Sequence, residues 1–437
     1  MYKSVFNYFL IALITLILIL PARFFQTFSL TIFNVESNLS VNYLNGIDVL
    51  LAFTSLVIVV KNKGIISFRY GQIVIFFYTL FSLCCSILLI ASGNGVYIGE
   101  ILSKINIVIS SLIITNYVLG SFRKGELFCL MYFPLLILVV STFFLSDYGS
   151  YAVSQRAGTL GFGSNEAGTF ACALIFLVLF YPKLNALFRV CNLAIGIACV
   201  LQTSSRRGIL IAAIIFALFF LLWLFKKRKK LKINNVLVFL LFVVAGVFLL
   251  WSNYKTIIDY VNGSALFNRL SYLNNVGKNN LYIDDRAKIY LSSFEHLREN
   301  FLYGSFGSDL YLAKNSFSHA HNIFLQFLNT HGIIMGGLIC IYILCSIKNL
   351  FVVIFSKRVH SKSRVIPFVA VLFPYFIGEQ FGYLLWNPKG MLLICLSVFA
   401  LNYYSKLVRA KKECIQNNRS QKTTISNNKI VNKALGY

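Results

Sequence analysis

The chain has 437 residues, of which 58% are hydrophobic and only 12% are charged, and its mean hydropathy is +0.75. This composition leaves too little polar surface for a soluble globular protein and predicts a polytopic membrane protein. The formal net charge of +26 is compatible with nucleic-acid binding or with membrane topology, so the distribution of charge along the chain must distinguish them.

Apolar runs of membrane-spanning length predict an all-α protein, because transmembrane strands would appear as short alternating segments. The first run lacks a small-x-small cleavage site, which favours an uncleaved span over a signal peptide. About 12 spans are predicted, near 5–21, 45–60, 72–91, 98–118, 127–145, 166–182, 186–202, 208–225, 235–251, 322–347, 366–386 and 390–404.

The charges alternate with these spans. With a cytoplasmic N-terminus, 27 of the 40 Lys and Arg residues fall on the inner side and 13 on the outer side, while 12 of the 14 acids fall outside or in outer helix halves. This is the positive-inside pattern. The basicity therefore indicates topology, and anionic headgroups are favoured over nucleic acid as partners of the basic tail.

Cysteine and histidine spacing predicts neither a disulfide framework nor a metal site. The ten cysteines all lie in predicted spans or the inner tail, and there is no Cys-x-x-Cys. No cofactor is predicted.

Three intramembrane acids are functional candidates by position, namely Asp48, Glu100 and Glu379. Solvation at a helix end is the alternative for the first two, and pairing with an arginine is the alternative for Glu379.

The outer loop before the sixth span carries Arg156 and Gly158, followed by a glycine-rich stretch ending at Ser164-Asn165. Glycines allow close backbone approach, and a helix N-terminus offers unpaired N–H donors to an anion. The alternative is a flexible loop with a capped helix and one solvated arginine.

The next outer turn, residues 203–208, places Arg206 and Arg207 together on the side where positive charge is disfavoured. Guanidinium groups bind phosphate oxygens through paired donors, and the hydroxyl of Ser205 lies beside them in the sequence. Arginines that extend to outer headgroups are the structural alternative.

The large outer loop, 252–321, contains a predicted amphipathic helix over 286–302. Asp284-Asp285 is interpreted as its N-cap, and Tyr290, Phe294, Leu297 and Phe301 form an apolar stripe. The helix would lie on the bilayer or against the bundle with Arg286 at the headgroup plane, unless Arg286 pairs with one of the aspartates.

His319, His321 and Asn322 stand at the outer entrance of the tenth span. Imidazole can donate to a phosphate or take a proton from a hydroxyl near neutral pH. A capping residue, a packed histidine and a metal ligand are the alternatives. The following Gly332 to Gly337 run predicts a close helix contact.

In this order and topology, these motifs resemble the O-antigen ligase and polymerase superfamily over roughly 155–340. The sequence departs from the family pattern at Arg207, where a small residue is usual. The matching positions are Arg156, Gly158, Thr203, Ser205, Arg206, Arg286, Gly304, Gly307, His321, Asn322, Leu325 and Gly332.

The resemblance implies a membrane-embedded, metal-independent, inverting glycosyltransferase of GT-C-like architecture. It would act on glycans carried by undecaprenyl pyrophosphate, on the outer face of the bacterial cytoplasmic membrane. The expected catalytic residues are His321, Arg206 and Arg286, and the expected substrate-binding residues are Arg156, Arg207, Ser205, His319 and Asn322. The pyrophosphate is already an activated leaving group, so catalysis needs cations and a base.

The predicted organisation is transmembrane helices at 1–150, a ligase-like catalytic region at 151–347, transmembrane helices at 348–404 and a basic cytoplasmic tail at 405–437. Polymerisation of lipid-linked repeat units is favoured, with ligation to lipid A-core or another acceptor as the alternative. A lipid-linked sugar transporter is disfavoured, because the chain shows no internal repeat. Expected partners are the lipid-linked oligosaccharide, a glycan acceptor, the bilayer, a chain-length regulator and other envelope polysaccharide assembly proteins.

Overall fold

The computed structural model describes residues 2–19, 46–62, 72–91, 98–144, 164–182, 184–203, 205–227, 281–305, 322–355, 362–378, 391–406 and 409. Within these ranges every regular element is a helix, as the composition predicts. The predicted ninth span, 235–251, lies outside the described residues.

The helix bounds follow the predicted spans closely from α2 to α8, within about three residues. A five-residue π-helical turn, Gly332–Gly336, joins α10 to α11. The helices are α1 (Tyr2–Ile19), α2 (Gly46–Lys61), α3 (Gln72–Ala91), α4 (Ile98–Ser121), α5 (Lys124–Phe144), α6 (Ser164–Phe180), α7 (Ala186–Gln202), α8 (Arg206–Lys227), α9 (Leu281–Glu299), α10 (Ile323–His331), α11 (Gly337–Phe355), α12 (Lys362–Gly378) and α13 (Met391–Lys406).

By length and composition alone, three segments of the described chain are long and apolar enough to cross a membrane. They are Ile101–Ser121, Lys124–Phe144 and Ile323–Val353, and shorter apolar helices of 10–17 residues accompany them. The protein is an integral membrane protein by these features, and the number of twelve spans remains a prediction.

Helix α6 lies at the centre of the bundle. Its residues 167–179 are all buried, and α5, α7, α8 and α12 pack around it. The rings of Phe170 and Tyr375 are 5.9 Å apart, and those of Phe176 and Phe373 are 5.2 Å apart, so α12 runs along α6. A helix that is apolar all round requires such enclosure. The ends of α6 therefore define the two ends of the bundle.

Basic turns gather at the end where α6 finishes, since the hydroxyl of Tyr181, just after α6, donates to the carbonyl of Lys124 at the start of α5 over 3.3 Å. The ammonium of Lys61, the last residue of α2, lies 3.5 Å from the ring centroid of Phe6 in the first turns of α1. Asn7 of α1 donates to Glu126 at the start of α5, over 2.9 Å. The start of α1, the end of α2 and the start of α5 thus share one end, as the alternating topology predicts.

The predicted tenth span is interrupted. In a straight helix, Phe324 and Cys340 would be about 24 Å apart. Instead, the Cys340 thiol lies 3.7 Å from the Phe324 carbonyl oxygen. A Cβ added at Gly336 would lie 2.4 Å from the carbonyl oxygen of Phe327. The chain folds back after α10, which has only nine residues, and α11 returns beside it. The glycine run therefore makes its close contact within this hairpin.

Helix α9, in the large loop, begins earlier than predicted. It starts at Leu281, so Asp284 and Asp285 lie inside its first turns, and their interpretation as an N-cap was wrong. Acidic residues interact favourably with the helix dipole in the first turns of a helix as well as at the cap position. Phe294 is 58% exposed, whereas Ser293 beside it is fully buried. The exposed ring remains available to the bilayer surface.

Asp48, one of the intramembrane acids, is buried at the contact between α2 and α4. Its carboxylate is buried and accepts from the Ser103 hydroxyl over 3.0 Å, and its backbone carbonyl accepts from Asn106 over 2.9 Å. These bonds tie α2 to α4. Because the carboxylate is buried, the alternative of solvation at the helix end is wrong for Asp48, and its functional role remains a prediction. The Glu100 side chain and Glu379 lie outside the described residues.

Candidate functional site

The turn between α7 and α8 is bound to the first turn of α6. The Ser205 hydroxyl donates to Oδ1 of Asn165 over 3.1 Å and accepts from the backbone N–H of Gly208 over 3.1 Å. The second bond is an N-cap for α8, because a serine hydroxyl satisfies an N–H that has no partner within the helix. Ser205 is fully buried. Its position fixes the start of α8 against α6.

Two glycines make this contact possible. A Cβ added at Gly208 would lie 3.3 Å from the Cα atom of Gly168, and one at Gly168 would lie 3.0 Å from the Cβ atom of Ser205. The thiol of Cys172 donates to the Gly208 carbonyl over 3.1 Å. Small residues let two helices approach at backbone distance. The N-termini of α6 and α8 consequently lie side by side.

Arg207 projects from the first turn of α8 into the bundle. Only 8% of its surface is exposed. Its Nη1 donates to the carbonyl of Gly378, the last residue of α12, over 3.2 Å. A guanidinium that extended to lipid headgroups would be exposed, so the structural alternative does not apply to Arg207. Its positive charge lies inside the protein, where α6, α8 and α12 converge.

Residues 301–305 of the large loop are bound to the α10–α11 hairpin. Gly304 has φ +60° and Gly332 has φ +68°. A Cβ on Gly304 would lie 2.4 Å from the carbonyl oxygen of Asn329, and one on Gly332 would lie 2.1 Å from that of Leu302. The N–H of Ser305 also donates to the Asn329 carbonyl over 2.9 Å. Two glycines facing each other thus hold the loop backbone against the hairpin.

Asn322 begins α10. Its Oδ1 accepts from the backbone N–H groups of Phe324 and Leu325, over 3.0 and 3.1 Å. This is an N-cap, one of the alternatives that the sequence left open. The predicted role of Asn322 in substrate binding remains a prediction, and its side-chain oxygen already stabilises the helix.

The remaining predicted site residues divide into two groups. Arg206 opens α8 and Arg286 lies in the second turn of α9, but their side chains lie outside the described residues. Arg156, His319 and His321 lie outside them altogether. The structure therefore brings together Ser205 and Arg207. In the described part of the chain, no three His, Cys, Asp or Glu side chains could hold a metal ion.

Sequence reasoning missed three residues that shape this end of the bundle: Asn165, Gly168 and Gly378. Asn165 was noted only as the end of a glycine-rich stretch, yet its side chain accepts from Ser205. Gly168 carried a signal, because Gly168 and Cys172 are small residues four positions apart, a spacing that suits close helix packing. Gly378 carried none, since its carbonyl contacts Arg207 across 171 residues of chain.

The apolar helical bundle is that of an integral membrane protein. Its buried polar groups at one end form the candidate site. Comparison with known families matches one region of the chain. Residues 191–342 match the family model described as O-antigen ligase. The match confirms the resemblance to the O-antigen ligase and polymerase superfamily, whose members are glycosyltransferase-like enzymes acting on lipid-linked glycans in membranes. A search of curated proteins gave no match.

Proposed function

We propose that this protein polymerises oligosaccharide repeat units carried on undecaprenyl pyrophosphate, at the outer face of the bacterial cytoplasmic membrane. The observation that carries the proposal is the O-antigen ligase family match over residues 191–342, which spans the turn with Arg206 and the His321 motif. The reaction is a metal-independent, inverting glycosyl transfer in which the lipid pyrophosphate leaves as the new bond forms.

Residue roles follow from the charge that develops on the leaving group. Arg156, Arg206 and Arg286 hold the pyrophosphate, and His321 is the base for the acceptor hydroxyl or a donor to the pyrophosphate. Arg207, His319 and Asn322 support this arrangement, and Ser205 orients the start of α8. The two hydrogen bonds of Ser205 favour this role, because they hold the backbone that carries both adjacent arginines.

A deletion strain tests the proposal through its surface polysaccharide. Loss of a polymerase leaves a single repeat unit on the acceptor, because ligation continues without chain extension. A wild-type chain-length distribution in that strain would contradict the proposal. Restoration by the wild-type gene and not by Arg206→Ala or His321→Ala would assign the defect to the proposed site.

Ligation is the second candidate function, and the description of the matching family model favours it specifically. A ligase uses the same donor and transfers the finished glycan to lipid A-core or another terminal acceptor. The same strain separates the two activities, since loss of a ligase leaves long lipid-linked chains without attached glycan.

A further inference from the structure

Three basic residues surround Tyr181, at the end of the bundle where α6 finishes. The Tyr181 hydroxyl donates to the carbonyl of Lys124 over 3.3 Å, and the Tyr181 carbonyl accepts from Nη2 of Arg189, also over 3.3 Å. Arg123 directly precedes Lys124 in the chain. The starts of α5 and α7 thus bring three cations to the two ends of one tyrosine side chain.

In the described part of the chain, no ion pair neutralises these three charges. The side chains of Arg123 and Lys124 are exposed, and that of Arg189 is half-buried. The nearby Glu126 is buried, and its carboxylate accepts from the side chain of Asn7 over 2.9 Å. It also accepts from the backbone N–H of Arg123 over 2.7 Å. Because the carboxylate is bound to these donors, the basic side chains remain available to an outside anion.

Arg189 is held in place at the end of α6. Its Nε donates to the carbonyl of Val178 over 3.2 Å, in addition to the bond from Nη2 to Tyr181. The last carbonyls of a helix carry partial negative charge, which would repel an anion, and a bound cation offsets that charge. An anion that approaches this end of the bundle therefore meets the guanidinium in front of these carbonyls.

An aromatic seam runs from this cluster along the contact between α5 and α7. The ring centroid of Tyr181 lies 4.5 Å from that of Phe128, and Phe128 is stacked on Tyr132 at 5.1 Å. The ring of Tyr132 in turn lies 5.3 Å from that of Phe188. The Tyr132 hydroxyl donates to Oδ1 of Asn192 over 2.9 Å, which satisfies its one polar group. Aromatic rings beside basic residues are typical of the headgroup level of a bilayer.

The rim of the seam is open at the surface of the bundle. Phe133 of α5 is 44% exposed, and its ring lies 5.6 Å from that of Tyr132. Leu187 of α7 is 71% exposed, and the rings of Phe128 and Phe188 are only half-buried. An acyl chain can therefore lie against these side chains without entering the packed interior.

We propose that the basic cluster and the aromatic seam form a binding site for one anionic phospholipid. Its phosphate lies among Arg123, Lys124 and Arg189, and its acyl chains follow the seam. Charge complementarity selects the headgroup, because basic side chains between membrane helices bind anionic lipid phosphates through charge-assisted hydrogen bonds. The site lies on α5, α6 and α7, apart from the basic tail at 405–437, and it does not depend on the transfer reaction.

Thermal unfolding of the purified full-length chain in detergent tests the site, with phosphatidylglycerol, cardiolipin and phosphatidylcholine added at equal mole fractions. The two anionic lipids should raise the unfolding temperature, and phosphatidylcholine should not. Equal stabilisation by phosphatidylcholine, or no stabilisation by either anionic lipid, would overturn the proposal. Glycerol 3-phosphate, a soluble headgroup without acyl chains, should have no comparable effect. Full stabilisation by glycerol 3-phosphate would assign the cations to a free phosphate and overturn the lipid site.

Substitutions assign the lipid response to this cluster. Arg123→Gln combined with Lys124→Gln should raise the concentration of anionic lipid needed for half-maximal stabilisation about tenfold, because two cations are lost. Lys124→Gln alone should act in the same direction and guards against a folding defect in the double variant. Lys348→Gln combined with Arg409→Gln is the matched control, since both side chains are exposed and belong to α11 and the segment after α13. The control should respond as the wild type does.

Equal weakening in the test and control variants would show that the lipid responds only to total surface charge, and would refute the site. Phe133→Ala tests the seam separately, because it removes an exposed ring and no charge. It should reduce the stabilisation by phosphatidylglycerol. A wild-type response in Phe133→Ala would contradict the placement of the acyl chains.

Discussion

Gly304 and Gly332 adopt backbone conformations that other residues avoid, at the contact between the large loop and the α10–α11 hairpin. Gly332→Ala should lower the free energy of unfolding by about 1–3 kcal/mol from conformational strain alone. The added Cβ would also overlap the Leu302 carbonyl. Thermal unfolding in detergent measures the first effect, and faster protease cleavage within 252–321 would report release of the loop.

Gly337→Ala is the control for this prediction. Nothing lies within 4 Å of a Cβ at position 337, and its φ of −61° is helical. Alanine should therefore leave stability unchanged or raise it by up to about 1 kcal/mol. Equal losses at Gly332 and Gly337 would contradict the special role of the loop contact.

Ser205 and Asn165 should be energetically coupled. Ser205→Ala removes the α8 cap, which costs about 1 kcal/mol. It also removes the donor to Asn165. Asn165→Ala alone should destabilise the protein, and the double variant should lose less than the sum by about 0.5–1.5 kcal/mol. Unfolding measurements on the three variants give this coupling. Strict additivity would show that the bond does not contribute.

At the residue scale, the sequence identified the turn of residues 203–208 as a candidate site. It did not show in which direction the Arg207 side chain points. Two adjacent arginines on the disfavoured side of the membrane signal a role for positive charge. The entry of the Arg207 guanidinium into the bundle depends on the Gly168–Gly208 contact and on the Gly378 carbonyl, and Gly168 and Gly378 are far away in the chain. Local patterns contain no information about such pairings.

Helix α10 depends on its cap. Asn322→Ala should destabilise this short helix by about 0.5–2 kcal/mol, because two backbone N–H groups lose their acceptor. Asn322→Asp retains the acceptor oxygen and should keep stability near the wild type. If the aspartate variant also keeps activity, Asn322 acts through the cap. Lost activity with retained stability would support the predicted contact with substrate.

The hairpin of α10 and α11 predicts a cross-link. Phe324→Cys should form a disulfide with native Cys340 under mild oxidation, because the two positions are adjacent in the hairpin. The same variant combined with Cys340→Ser is the control. Mass spectrometry of the proteolytic fragments detects the bond as a change in peptide mass. Absence of the cross-link would favour a continuous helix through Gly332.

At the element scale, apolar run length predicted α2 to α8 well, since helices that cross a bilayer have a nearly fixed length. The same rule failed at 322–347. Ile323–Val353 is 31 residues of apolar helix-forming sequence, and its composition does not show that the backbone turns back at Gly332. Gly332 has φ +68°, and this conformation depends on the loop packed beside it as much as on the local sequence.

At the scale of the whole molecule, charge and packing divide the bundle into two different ends. Basic turns surround the start of α1, while Ser205 and Arg207 lie at the opposite end of α6. The alternation of basic loops made the first grouping predictable. The central position of α6 was not predictable, because all the predicted spans are similarly apolar and only contacts distinguish the enclosed helix from its neighbours.

Glycosyl transfer by the purified protein in reconstituted vesicles tests the central claim most directly, with a defined pyrophosphate-linked oligosaccharide as donor and acceptor. The account predicts longer lipid-linked products with the wild-type chain, and none with Arg206→Ala or His321→Ala, although all three insert. Translocation of the lipid-linked sugar without bond formation, or wild-type elongation by both site variants, would contradict it.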